Sequence, residues 1–166
     1  MSKVQLRRLK ASDEKIFMAN IRRSRALHRS WVQVPTSAKA FQRYVQDMNT
    51  ADDQAYVAIR IDTREMVGVI ELQDIFRGDF QNAYLIYYVF EGQQRKGFMK
   101  AAVQQVIAKA FGPMKLHRLE ANIQSNNAAS ITVIKACGFE KEGLSRRFLR
   151  KNGEWRDHER WSLLND

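Results

Sequence analysis

Between Ala83 and Phe111 the chain runs from an apolar stretch through a short basic turn into a long segment with an apolar stripe, and this junction restricts the fold more than any other feature. The stretch Ala83-Tyr84-Leu85-Ile86-Tyr87-Tyr88-Val89-Phe90 is rich in aromatic and branched side chains, as a buried strand is. Phe98, Ala102, Val103, Val106, Ile107, Ala110 and Phe111 recur at helical spacing, which predicts a helix opening near residue 98. The turn Gln93-Gln94-Arg95-Lys96-Gly97-Phe98-Met99-Lys100 therefore joins a strand to a helix. The first N–H groups of such a helix lack internal partners and sit at the positive end of its dipole, so they suit phosphate oxygens. Gly97 has no side chain to hold a phosphate away from the backbone.

The flanking sequence supplies a sheet for that helix to lie on. Val4, Leu6 and Leu9 alternate roughly with charged residues and predict an opening strand, and Ser12 followed by Asp13 and Glu14 caps a helix over 12–25. Pro35-Thr36-Ser37 starts a second helical pattern through Phe41, Tyr44, Val45 and Met48, leaving 27–34, with Trp31, as an irregular connection. Strands are predicted over 55–59, 66–72 and from Ala83, as an antiparallel meander. Residues 118–123 alternate as a further strand, and a short helix over 126–136 ends at Gly138. Strand, helix, strand in that order implies a crossover and a locally parallel pair. Asn152-Gly153 signals a two-residue hairpin between 144–150 and 155–164. The fold class is α/β, of the α+β kind: a mixed, mostly antiparallel sheet of six to seven strands with helices on both faces.

With 166 residues, two prolines and no Gly, Ser or Pro-rich linker, the chain reads as a single domain over 1–166. No apolar stretch approaches the roughly 20 residues that span a bilayer, and Met1-Ser2-Lys3-Val4 does not open a signal peptide, so a cytoplasmic location is expected. Cys137 stands alone before Gly138 and reads as a small buried side chain. The formal net charge of +10 is concentrated near the chain ends. It suits nucleic acid, a ribosomal surface or a phosphorylated cofactor, or simply a solvated basic surface. His28, His117 and His158 have no partners at metal-ligand spacing, so no metal site is expected. Neither a Gly-x-Ser-x-Gly elbow nor a Walker loop occurs, which counts against hydrolase and nucleotidase chemistry.

Three segments together resemble the Gcn5-related N-acetyltransferase (GNAT) family, and within it the group that acetylates ribosomal protein N-termini. Gln94-Arg95-Lys96-Gly97-Phe98-Met99 is similar to that family's acyl-coenzyme A turn, with Met99 where a Gly or Ala is usual. Asn127 to Phe139 resembles its Asn-x-x-Ser helix ending in Lys, two residues and Gly-Phe; Glu142-Gly143-Leu144-Ser145-Arg146, Gly153 and Asp157 follow the subgroup's ending. Leu27-His28-Arg29-Ser30-Trp31 with Pro35 resembles its substrate-side loop.

The resemblance implies the GNAT acyl-CoA N-acyltransferase fold, acetyl-CoA as cosubstrate and direct transfer to an amine. It implies that Ser130 donates a proton to the departing thiolate, unless its hydroxyl turns back on the helix carbonyls. Asn127 would hold the pantetheine arm, and Val89 and Phe90 would offer main-chain hydrogen bonds to it if this strand splays from the next. Gln94, Arg95, Lys96, Gly97, Phe98, Met99 and Lys100 would bind the phosphates. Glu71 is the candidate base, acting through water, or else an edge-strand carboxylate facing solvent or an Arg; Asp74 is the fallback. Tyr88, Arg29 and Trp31 are the substrate-side candidates, with core packing the alternative for the two aromatic residues. Some relatives carry an acid Tyr where this chain has Ile134, which cannot donate a proton.

The resemblance implies that the acceptor is the α-amine of a ribosomal protein or other peptide; such an amine, with pKa about 7.7 to 8.0, is partly neutral already, so its base can be modest. The alternatives are a small amine such as a polyamine, aminoglycoside or amino-acid conjugate, and a non-catalytic module binding the ribosome or nucleic acid. A homodimer is common among relatives.

Overall fold

The computed structural model describes residues 3–29 and 31–165; Met1, Ser2, Asp166 and Ser30, a member of the Leu27–Trp31 segment, lie outside the described residues. In chain order the elements are β1 (Val4–Arg8), a 3-10 turn (Ala11–Asp13), α1 (Glu14–Arg23), α2 (Arg25–His28), α3 (Ala38–Asp47), β2 (Gln54–Arg60), β3 (Met66–Phe76), β4 (Asn82–Val89), α4 (Phe98–Phe111), β5 (Arg118–Gln124), α5 (Ala128–Ala136), β6 (Glu140–Lys151) and β7 (Glu154–Leu164). The strands form one sheet in the order β1-β2-β3-β4-β5-β7-β6, with β4 and β5 parallel and the other neighbours antiparallel.

Alternation along the strands sends apolar side chains to both faces. Val67, Leu72, Leu85 and Ile123 meet Phe98, Val103 and Val106 of α4 and Ile134 of α5 on one face. Val57, Val69, Tyr88 and Phe90 meet Phe17, Ile21, Phe41 and Val45 of α1 and α3 on the other. Ile134 is fully buried on the α4/α5 face. The hairpin forms as the Asn-Gly pair predicts, with Asn152 and Gly153 at φ 50° and 81°.

The helix predicted over 12–25 is broken at Ser24. Its hydroxyl donates to the Asn20 carbonyl (2.6 Å) and accepts from the Glu91 N–H (2.9 Å), tying the end of α1 to the turn after β4. One turn of helix, α2, then occupies the start of the segment read as irregular. The helix predicted from residue 126 begins instead at Ala128, because Asn127 caps it: its Oδ1 accepts the Ser130 N–H at 3.3 Å.

Candidate active site

Strands β4 and β5 pair only over Asn82↔Arg118, Ala83↔Leu119 and Tyr84↔Glu120, and then part. A cleft of about 390 Å³ fills the gap and reaches both faces of the sheet. Leu85, Tyr87, Val89, the cap residue Asn127 and α5 residues Ala129 and Ser130 border one side; Tyr88, His28, Trp31, Gln124, His158 and Lys151 border the other.

The splay leaves main-chain groups of β4 without a strand partner. The Phe90 N–H donates to the Val67 carbonyl at 2.8 Å, so even-numbered residues turn their polar groups toward β3 and odd-numbered ones toward the gap. The Val89 N–H therefore faces the cleft, while its carbonyl accepts from His28 Nε2 at 2.8 Å. Phe90 departs from the sequence expectation: its N–H is spent on β3 and its ring is fully buried in the α1/α3 core.

At the end of β4 the chain enters the basic turn. Gly92, Arg95 and Gly97 all have positive φ (85°, 63° and 77°), which folds consecutive N–H groups toward one concave side. Among the described residues none of the main-chain N–H groups from Gln94 to Lys100 donates to another protein group; Ala101 to the Gly97 carbonyl (3.1 Å) is the first bond of α4. That is a nest for an anion. Gln94 braces it by donating to Glu91 Oε1 at 2.9 Å, and Lys96 closes it by donating to the Gly92 carbonyl at 2.5 Å. Arg95 and Lys100 are exposed and form no ion pair among the described residues. Phe98 and Met99 turn their side chains into the core, each 7% exposed, so only their backbone N–H groups can serve a phosphate. Met99 therefore does not crowd the turn. Its methyl group lies over Gly68 of β3, where a side chain is missing.

Across the cleft, Tyr87 donates to the Ser130 carbonyl at 2.6 Å and clamps α5 to β4. The Ser130 hydroxyl borders the cleft and has no hydrogen-bond partner among the described residues, so it is not turned back on the helix. Cys137 is half-buried rather than buried; its thiol points to the Lys100 carbonyl at 3.8 Å, and burial pushes it up to about 11 despite the Lys100 charge. It stays a thiol at neutral pH.

On the opposite face, β3 is an interior strand, so Glu71 is no edge carboxylate. It is 4% exposed and accepts hydrogen bonds from the Tyr44 hydroxyl and from Gln73 Nε2, the latter at 2.6 Å. Burial raises its carboxyl above the usual range, the two donors pulling the other way. The Tyr44 hydroxyl also lies 3.4 Å from that of Tyr88, which borders the cleft. Glu71 thus stands behind two phenols. Burial raises both of these well above the ordinary tyrosine value.

Trp31 borders the cleft, whereas Arg29 lines a neighbouring cavity instead. Asp74, at φ 48° in a strand irregularity, lies exposed at the cleft mouth. The sequence offers His28 and His158 only as unpartnered for a metal, with His28 in the substrate-side segment; that both side chains border the cleft carries no local signal. His28 gives its Nε2 proton to a carbonyl and His158 gives its Nδ1 proton to the Arg156 carbonyl at 2.9 Å, so each keeps one lone pair. Burial lowers both pKa values, leaving the rings neutral at neutral pH. Among the described residues no group of three His, Cys, Asp or Glu is placed to hold a metal, and no helix is long and apolar enough to cross a membrane.

Residues 3–140 match the acetyltransferase (GNAT) domain. The chain belongs to that family. As a GNAT enzyme it is an acetyl-CoA-dependent N-acetyltransferase. It is 32% identical over 127 residues to a probable N-acetyltransferase, YjcK, of Bacillus subtilis (strain 168), covering 76% of this chain and 70% of that protein. It is 35% identical over 97 residues to the ribosomal protein uS5-alanine N-acetyltransferase of Escherichia coli (strain K12), covering 58% of this chain and 50% of that protein. A ribosomal-protein-S5-alanine acetyltransferase from Vibrio fischeri superposes with a TM-score of 0.90 at 25% identity, covering 100% of this chain and 95% of that one. The GNAT acyl-CoA fold read from the sequence is the fold observed.

The residues present fit acetyl-CoA. The unpaired N–H groups of the turn suit a diphosphate, and Val89, whose N–H faces the cleft, and Asn127 border the same cleft as Ser130.

Proposed function

We propose that this GNAT enzyme acetylates the N-terminal α-amine of a ribosomal protein or another peptide, as a single domain working in the cytoplasm. The observation that carries this reading is the gap between β4 and β5, which opens Val89 and Ser130 on one side to Tyr88, Trp31 and His28 on the other, with an anion nest in the turn that follows β4. When bound, acetyl-CoA supplies an activated thioester. Main-chain N–H groups of Gln94 to Lys100, with Arg95 and Lys100, hold its phosphates. The Val89 N–H and the Asn127 Nδ2 orient the arm, and Ser130 delivers a proton at the sulfur end. Tyr88 and Trp31 seat the acceptor. As the amine adds to the acetyl carbon, its proton passes to the Tyr88 hydroxyl, which hands its own to Tyr44, and Tyr44 hands its own to Glu71; the C–S bond then breaks, the sulfur leaves as a thiol with the proton from Ser130, and Ser130 regains a proton from solvent.

Polycationic acceptors fit less well, because Arg22, Arg25 and Arg29 line the cavity beside the cleft and Lys151 borders the cleft itself, against the single exposed carboxylate of Asp74. The similarity to the uS5-alanine acetyltransferase, together with the net charge of +10, supports a ribosomal acceptor and contact with the ribosome.

Incubation with acetyl-CoA and a peptide library should release free thiol and add one acetyl mass to peptide N-termini. Absence of coenzyme binding by calorimetry at millimolar ligand would remove the enzyme reading. Ser130→Ala should lower turnover about tenfold with coenzyme affinity nearly unchanged. An unaltered rate would take Ser130 out of the proton-donor role.

A further inference from the structure

Beside the cleft lies a second cavity of about 610 Å³, which shares His28 and Val32 with it. Arg22, Arg25 and Arg29 line this cavity, and Asn152 of the hairpin turn closes it. Arg22 and Arg25 stand three apart across the break at Ser24, and Arg29, in the non-helical turn after α2, lines the same cavity, so the break has not scattered them. All three are exposed, and none forms an ion pair among the described residues. Arg29 spends only its Nε, on the Ala26 carbonyl at 3.1 Å. No carboxylate stands among the residues lining the cavity. Between the two spaces sits His28, 6% exposed, with its Nδ1 buried and lacking any partner. Lys151 adds a further cation where the hairpin overhangs the cleft.

A surface this basic next to a reaction chamber concentrates and orients anionic groups attached to whatever enters that chamber. We infer that the Arg22-Arg25-Arg29 cavity binds acidic side chains of the acceptor peptide a few residues beyond its acetylated N-terminus, and so selects acidic N-terminal segments. This rests on the peptide-acetyltransferase reading and names the class of peptide. The two spaces share His28 and Val32 as a common wall, so the arginines stand one side chain away from the cleft, within reach of residues a few positions beyond an amine seated there. The phosphates of acetyl-CoA are served by the α4 turn on the other face of the sheet, which leaves this cavity for the acceptor.

The test uses three peptides with the same first two residues, followed by three glutamates, three glutamines or three lysines, with the full-length protein saturated in acetyl-CoA. Acetylation should follow the order glutamate, glutamine, lysine, with kcat/KM for the acidic peptide at least about tenfold above the neutral one at low salt. The advantage should shrink as salt rises. In Arg22→Glu/Arg25→Glu the ratio of acidic to neutral peptide should fall about tenfold or invert, while Lys115→Glu, a reversal in the turn before β5, should keep it. Peptide binding by fluorescence anisotropy in the presence of CoA separates the two readings. Acetylation without charge preference overturns this inference and leaves the function standing. Arginine-dependent binding of the acidic peptide without acetylation keeps the inference and removes peptide acetylation. No binding and no acetylation of any of the three overturns both.

Discussion

Glu71→Gln is expected to lower kcat/KM about a hundredfold at pH 7 and, at the same pH, to raise the stability of the protein. General bases contribute roughly 10²–10⁴ in rate, and the lower end applies here because an α-amine is partly neutral without help. Above pH 9, where the amine is largely neutral, the deficit should shrink to less than about tenfold. The stability gain follows from burial. The Glu71 carboxyl is held above its ordinary value, so as pH rises the unfolded chain releases this proton first. The folded state therefore loses stability from the usual carboxylate range up to the raised folded value, and the loss persists above it. A glutamine cannot ionise. Its carbonyl still accepts from Tyr44, and rotation of the Gln73 amide lets that side chain accept from the new nitrogen. Denaturation from pH 4 to pH 9 should then lack the wild-type decline, a case of stability given up for activity. A deficit that does not change with pH would make Glu71 a positioning group. No deficit at all would move proton acceptance to His158, whose free Nε2 lone pair belongs to a ring bordering the same cleft.

What could be read from the sequence is what depends on neighbours along the chain. The strand read over 83–90, found over Asn82–Val89, the helix from Phe98 and the Asn-Gly hairpin each carry a local period or a turn signal, and each lies within a residue of where the pattern puts it. The break at Ser24 was hidden because the N–H that completes it belongs to Glu91, 67 residues away. Alternation along β3 places Glu71 on the face of Val69 but cannot say that Tyr44 of a helix will cover it. The cleft itself has no sequence signature, since the parting of β4 from β5 depends on two separate strands diverging. Met99 stands out against the usual Gly or Ala because a sequence carries no side-chain directions. In the fold its side chain faces the core and only its N–H faces the turn.

The partner of that methionine sets the second large effect: Gly68→Ala is expected to cost roughly 3 kcal/mol of folding stability. A Cβ at Gly68 would sit 2.2 Å from the Tyr88 carbonyl oxygen, 2.7 Å from Met99 Cε and 2.9 Å from the Val89 Cα. The methionine end can swing aside, but the other two atoms are backbone of β4, the next strand in the sheet. Relief requires β3 and β4 to separate, and Val89 is where β4 turns its N–H to the cleft. Coenzyme affinity of the folded fraction should therefore fall together with the melting temperature. Met99→Ala alone should cost about 2–4 kcal/mol through the cavity it leaves. The double variant discriminates between the obstacles. If the methionine were the main one, an alanine at 68 would fill the vacated space and Gly68→Ala/Met99→Ala would be more stable than Met99→Ala. The backbone contacts predict the reverse, with urea unfolding placing the double variant below either single one.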